Sequence, residues 1–293
     1  MKQINFFKPS KSLFPFFFLA LTMFAVSCDK DDEPTVLEPG AVQIEFDNIA
    51  LVNGVMRQLS LVTPGSEDYA YTNGMGQDFN INLLRYYITN IKLEGPNGEV
   101  FEDHVHVDAA GTEGIYLVDE AIPSSGSVIL NDVPAGEYDK ITFTVGVEEN
   151  GVEEGAAGGN LDPATCNMFW NWNSGYIAVK FEGQSPVSPG GTTGFETLEG
   201  VEKGILYHIG GWKDVDGTAF VYNNKRLSFD FDTNARVEKG QQPTVHMVFD
   251  VLKLFAGENM IDFTGNNNVH KPVDGKPAAD NIPGAFAFDH IHQ

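Results

Sequence analysis

Between residues 41 and 52 the chain reads AVQIEFDNIALV, with Val42, Ile44 and Phe46 separated by Gln43 and Glu45. Successive side chains on a strand point to opposite faces, so this alternation predicts a half-buried strand with one wet face. The same reasoning predicts paired strands in INLLRYYITNIKLEGPNGEVFEDHVHVD, where Tyr87, Ile91 and Leu93 sit among β-branched neighbours and Pro96-Asn97-Gly98 marks a hairpin turn. Residues 63–80 read as irregular. Further strands are predicted over 114–119, 127–130, 140–146, 175–182, 204–211, 226–232 and 244–251, with Pro134 and Gly136 as breakers between two of them.

Helix signals are sparse. Asp162 followed by Pro163 predicts a short capped turn, and VLKLFAGENMI at 251–261 predicts a second helical stretch. Many short strands joined by Gly, Asn, Asp and Pro turns predict an all-β domain over residues 41–293, an antiparallel β-sandwich with long loops and few short helices.

The ends read differently. Lys2, Lys8 and Lys11 precede an apolar run from Leu13 to Val26, which is the pattern of a secretory signal peptide over residues 1–27. The run is short of the roughly 20 residues that a permanent membrane helix needs. Ala25-Val26-Ser27-Cys28 resembles a lipobox, which would make Cys28 the acylated N-terminus of the mature chain. The tract Asp29–Glu33 looks like the acidic signal that sends lipoproteins to the outer face of the outer membrane. Residues 28–40 then form an acidic, proline-bearing tether. Past Cys28 only Cys166 remains, so the mature chain has no intramolecular disulfide and the fold must rest on its core.

The whole chain carries 41 acidic against 18 basic side chains, a net charge of −23. Phosphate recognition rests on clustered Lys and Arg, so nucleic acid is excluded as a partner. Cations, by contrast, are attracted to such a surface.

Candidate chemistry lies with histidine. His104 and His106 form one His-x-His pair and His290 and His292 another. On an extended chain both imidazoles of such a pair point to one side, so two of them and a third ligand from elsewhere make a metal site. Either pair alone reads equally as a solvated surface pair. His208 lies in YHIGGW, His246 in VHMVFD reads as structural, and His270 sits in a loop of turn residues. Trp170 and Trp172 would share one face of a strand, reading first as core and alternatively, with Trp212, as a stacking platform for a flat ligand. There is no phosphate-binding Gly-rich motif, and Cys166 has no matched His motif, so no enzymatic activity is expected.

The stretches LRYYITNIKL (84–93), VPAGEYDKITFTVGV (133–147), LDPATCNMFWNWNSGYIAVKFEG (161–183), LYHIGGW (206–212) and FDHIHQ (288–293) together resemble the MbnP-like family of Bacteroidetes lipoproteins. The resemblance implies an extracellular β-sandwich that binds copper through histidines and has no catalysis of its own. It points to His208, His290 and His292 as ligands, and less to His104 and His106. It also implies handover of the ion to an outer-membrane transporter or a redox partner. Some relatives carry a tryptophan oxidised to kynurenine beside the metal. No Trp lies between Ile81 and Met168 here, so that feature is not expected. The competing expectation is a cell-surface module of the same fold that binds a carbohydrate or peptide without metal.

Overall fold

The alternating stretch at the start of the domain folds as a 13-residue strand, β1 (Gly40–Val52), with Val42, Ile44 and Phe46 turned into the core. In the computed structural model, residues 38–148, 157–170, 175–191, 196, 201–211 and 221–293 are described. The signal peptide, Cys28 and the tether up to residue 37 lie outside the described residues, as do Trp172 and Trp212.

In chain order β1 is followed by β2 (Val55–Gln58), β3 (Tyr71–Thr72), β4 (Asp78–Glu94), β5 (Val100–Glu102), β6 (His106–Val107), β7 (Thr112–Glu113), β8 (Ile115–Asp119), β9 (Ser127–Val133) and β10 (Gly136–Val145). Then come α1 (Pro163–Cys166), β11 (Phe169–Trp170), β12 (Gly175–Gln184), β13 (Gly204–Gly210), β14 (Lys225–Val237), β15 (Thr244–Asp250), α2 (Val251–Phe255), β16 (Asn268–Val269), α3 (Pro272–Ala285) and β17 (Phe286–His292).

Two main sheets form an all-β, sandwich-like fold. The smaller has the order β17-β15-β1-β2, with β9 also on β1. The larger runs β14-β10-β4-β12-β13-β16, and β4 is its hub, carrying β3, β5 and β8 as well. The sheets are mixed rather than antiparallel throughout, because β1 pairs β15 in parallel and β13 pairs β16 in parallel. Parallel neighbours need a long crossover. Here most of the chain lies between β1 and β15, and no local pattern announces a partner that distant.

A core of interlocking rings fills the space between the sheets. Phe46 meets Phe143 edge-on at 5.4 Å, Tyr86 meets Phe249 at 5.2 Å, and Phe249 stacks on Phe286 at 4.5 Å. β4 changes face midway. Asn90 takes a left-handed conformation (φ 52°) at a bulge opposite β10, so Tyr86 and Ile88 before it and Ile91 and Leu93 after it all enter this core.

Tyr87 points the other way, into a second apolar cluster with Leu161, Cys166, Met168, Trp170 and Tyr176. The turn predicted at Asp162 covers that cluster as α1, and the Asp162 side chain caps it by accepting from the Ala164 N–H. Trp170 is therefore a buried core ring and offers no open face for stacking.

The 14-residue helix α3 was not expected, since Gly275, Pro277, Pro283 and Gly284 punctuate its sequence. It forms because Ala278, Ala279, Ile282 and Ala285 are buried there, with α2 and β13 as its neighbours, and packing overrides propensity.

Removing the Phe249 ring deletes both its stack on Phe286 and its edge contact with Tyr86. Phe249→Ala should cost about 3–5 kcal/mol, read as a lower denaturant midpoint at unchanged slope; a loss below about 1 kcal/mol would show that these rings do not hold the sheets together.

Candidate metal centre

The outward face of the smaller sheet carries a row of polar side chains that the strand registers bring together. Glu45 on β1 is aligned with His246 on β15, and His246 is aligned with His290 on β17. On β15 the neighbours Val245 and Met247 are fully buried, which turns His246 outward.

β17 needs a further device. Phe286 and Phe288 face inward opposite Phe249 and Met247, so simple alternation would send His290 inward too. The register instead slips by one residue between His246 and Met247, leaving Asp289 as an unpaired bulge residue. Past the bulge Ile291 packs against the core while His290 and His292 face out. A bulge re-aims side chains in this way at the cost of one ladder position.

The imidazoles of His246, His290 and His292 each place a ring nitrogen within 4.8 Å of the others. His246 and His290 stack at 4.3 Å, and His292 stands edge-on to both, at 5.1 and 4.6 Å. Carboxylates fix the far side of two of these rings. His246 Nδ1 lies 3.1 Å from Asp47 Oδ2, and His290 Nδ1 lies 2.9 Å from Asp289 Oδ2. A carboxylate that accepts from Nδ1–H leaves Nε2 with its lone pair for an ion, and this second partner holds the ring and raises its basicity. The Nε2 atoms of His290 and His292 are 3.0 Å apart. That separation suits two nitrogens on one ion at the usual bond length of about 2.0–2.1 Å. The residues present therefore fit a borderline divalent metal such as copper or zinc.

Of these three clustered imidazoles, sequence reasoning named His290 and His292 as candidate ligands and read His246 as structural. The signal was present: Val245 and Met247 are apolar, so His246 belongs to the polar face of its strand. What was missing was the pairing of residues 244–250 with 286–292.

The other expected ligands lie elsewhere. His104 and His106 are exposed, with parallel rings 6.2 Å apart, and His106 faces Asp108 at 3.6 Å. Among the described residues no third His, Cys or carboxylate closes a metal-sized group around them. His208 is buried on the outer face of the larger sheet, away from the imidazole trio, in a row that runs Asp119, Arg85, Lys180, His208 across β8, β4, β12 and β13. Its Nε2 lies 3.2 Å from Glu182 Oε1, and its ring meets His270 edge-on at 5.0 Å.

Ion pairs tie this row together. Arg85 bridges Asp119 at 2.6 Å and Glu196 at 2.9 Å, and Lys180 reaches Glu196 at 2.7 Å. Burial acts to raise the Glu196 carboxyl, but its hydrogen bond to Lys180 and the charges of Lys180 and Arg85 outweigh it and hold the group below its ordinary value. Burial dominates at His208 and pushes the imidazole down to about 4, against the pull of Glu182.

His208 is thus neutral when folded at a pH where an unfolded chain's histidine, titrating near about 6.5, takes a proton. Between these two values the unfolded state binds more protons, so stability should fall as pH drops through the window and level off below about 4. His208→Gln keeps a hydrogen-bond partner for Glu182 but does not titrate. It should flatten that part of the stability profile by up to about 3 kcal/mol, measured by denaturant unfolding from pH 7 to 4; an unchanged slope would place the acid sensitivity in another group.

A profile of the MbnP family matches residues 39–271. Among solved structures the chain is similar to MbnP from Methylosinus trichosporium, at 15% identity and a TM-score of 0.44, over 77% of this chain and 80% of that one. No curated protein matches it. The profile takes in His208, His246 and His270 and stops before α3 and β17, so His290 and His292 lie past its end. A match over so large a part of the sequence settles the affiliation: the chain belongs to the MbnP family.

Proposed function

We propose that the chain is a surface-anchored lipoprotein that binds a copper ion through His246, His290 and His292, for acquisition, storage or handover of the metal. The observation that carries this reading is the convergence of three ring nitrogens within 4.8 Å of one another, with Asp47 and Asp289 behind two of the rings. The copper association implied by the family resemblance supports the choice of ion, and so does the affinity order that places Cu(II) above its divalent neighbours for nitrogen donors.

His290 and His292 are partly or fully exposed at the end of an outer strand, which suits an ion that must be taken up and passed on. An outer-membrane transporter or a redox partner is the expected recipient. The acidic surface raises the local concentration of cations around the site. Anchoring rests on the lipobox-like Ala25–Cys28 segment and surface display on the acidic tract after it. No described helix is long and apolar enough to cross a membrane. The reading assigns no catalysis to the chain.

Copper analysis of the purified lipoprotein tests the site. The wild-type chain should retain a single copper through dialysis, and His246→Ala or the double change His290→Ala/His292→Ala should lose it. His104→Ala/His106→Ala should leave it in place. Copper retained by the first two variants would exclude this centre. For the anchor, Cys28→Ala should move the protein out of the membrane fraction and abolish palmitate labelling, and a variant still labelled would locate the lipid elsewhere.

A further inference from the structure

The ladder of the smaller sheet is interrupted on one side of β1. β9 pairs with residues 40–45 and β2 with residues 49–52, so residues 46–48 have no strand neighbour there, and a cleft of about 210 Å³ opens at the gap. Glu45, Asp47, Asp119 and Glu120 wall the cleft, and Gln58 of β2 borders it. Asp119 is bridged by Arg85, and Glu45 and Asp47 lie against His246. Glu120 differs. It accepts from the Asn48 amide at 2.9 Å, and no Lys, Arg or His among the described residues pairs with it. Burial pushes its carboxyl up against the pull of Asn48, and the charge of Asp119 adds to the push. A cation entering the cleft would relieve this.

β2, beside the cleft, is an edge strand. The Asn53-Gly54 turn, with φ of 52° and 76°, closes a two-residue hairpin in which Val52 and Val55 form the first hydrogen-bonded pair. Bonded and non-bonded pairs alternate from there, so the N–H and C=O of Met56 and Gln58 point away from β1, to a side with no strand among the described residues. Natural edges are kept short, charged or covered. β2 is short, yet Val55 and Met56 are 57% and 50% exposed, and Met56 shares a face with Leu51, itself 40% exposed. Arg57 points to the opposite face.

We propose that the free edge of β2 and the acid-walled cleft next to it form a docking surface for an extended, basic segment of a partner protein, which pairs as an added strand with Met56 and Gln58 and seats a lysine or arginine against Glu120. Strand addition draws affinity from the backbone and specificity from the pocket beside it. The carboxylates of the cleft call for a basic occupant, and the chain's own net charge of −23 disfavours a second copy. Asp47 borders both this cleft and the His246 ring, so the docked segment lies beside the imidazole trio, where a recipient of the ion would stand. The docking itself needs no ion.

The test uses the full chain as purified and two capped, fluorophore-labelled peptides, VKVKVKV and VEVEVEV, titrated by anisotropy. The lysine peptide should bind with a Kd below about 1 mM, and the glutamate peptide should not bind. Met56→Pro removes one outward donor without touching the β1–β2 ladder, and it should weaken the lysine peptide by about tenfold. Glu120→Gln keeps an acceptor for Asn48 and should weaken it by a similar factor. No copper is added, so the assay succeeds or fails apart from the metal reading, which the copper content of the histidine variants decides. Absence of saturable binding, equal binding of the two peptides, or binding that neither variant alters would overturn the inference. So would sedimentation showing the chain paired with itself in a dimer that Met56→Pro disperses.

Discussion

Everything that distinguishes the C-terminal strand depends on one inserted residue. β17 enters the sheet with Phe286 and Phe288 locked into an aromatic core and must leave it with His290 and His292 on the opposite face. A regular strand cannot do both. The bulge at Asp289 reconciles the two demands, and the same aspartate then reaches back to His290 Nδ1. Backbone irregularity, ring orientation and ligand polarity at this point are therefore one feature rather than three. Without the bulge, a regular strand carrying Asp289 would put Ile291 on the outer face in place of the imidazoles.

The two sheets use their polar outer faces in opposite ways. On the larger one, Arg85, Lys180, Glu182, Glu196 and His208 form a network in which the Lys180, Glu182 and His208 side chains have almost no contact with solvent. Such a network is costly to desolvate and is tolerated when its members satisfy one another, which favours a rigid, structural part. On the smaller sheet the imidazoles and carboxylates stay open to water, so binding an ion there does not require the core to move. Family membership covers the first of these faces entirely. Of the second it covers Glu45, Asp47 and His246 but neither His290 nor His292.

How much of this the sequence disclosed follows from the range of each signal. Period-2 alternation is local, so β1, β12, β13 and β15 were found within a residue or two of their observed limits, as was the Asp162 cap. Pairing between strands is not local. The parallel contact of β1 with β15, and the antiparallel contact of β15 with β17, join segments whose sequences carry no mark of each other, and it is these contacts that gather Glu45, His246 and His290. α3 escaped because its prolines and glycines contradict helix formation, and only the buried Ala278, Ala279 and Ile282 explain it. The bulge escaped because the FAFDHIH alternation, taken at face value, puts phenylalanines and histidines on one side. His-x-His spacing pointed to two of the three imidazoles that cluster on this face, and the third needed the fold.

The most direct measurement is an anomalous difference map from copper-loaded crystals of the domain, recorded at the copper edge. A single peak equidistant from the Nε2 atoms of His246, His290 and His292 is the expected result. A peak beside His208 and His270, with the three outward imidazoles empty, would contradict the assignment of the centre to the C-terminal strand.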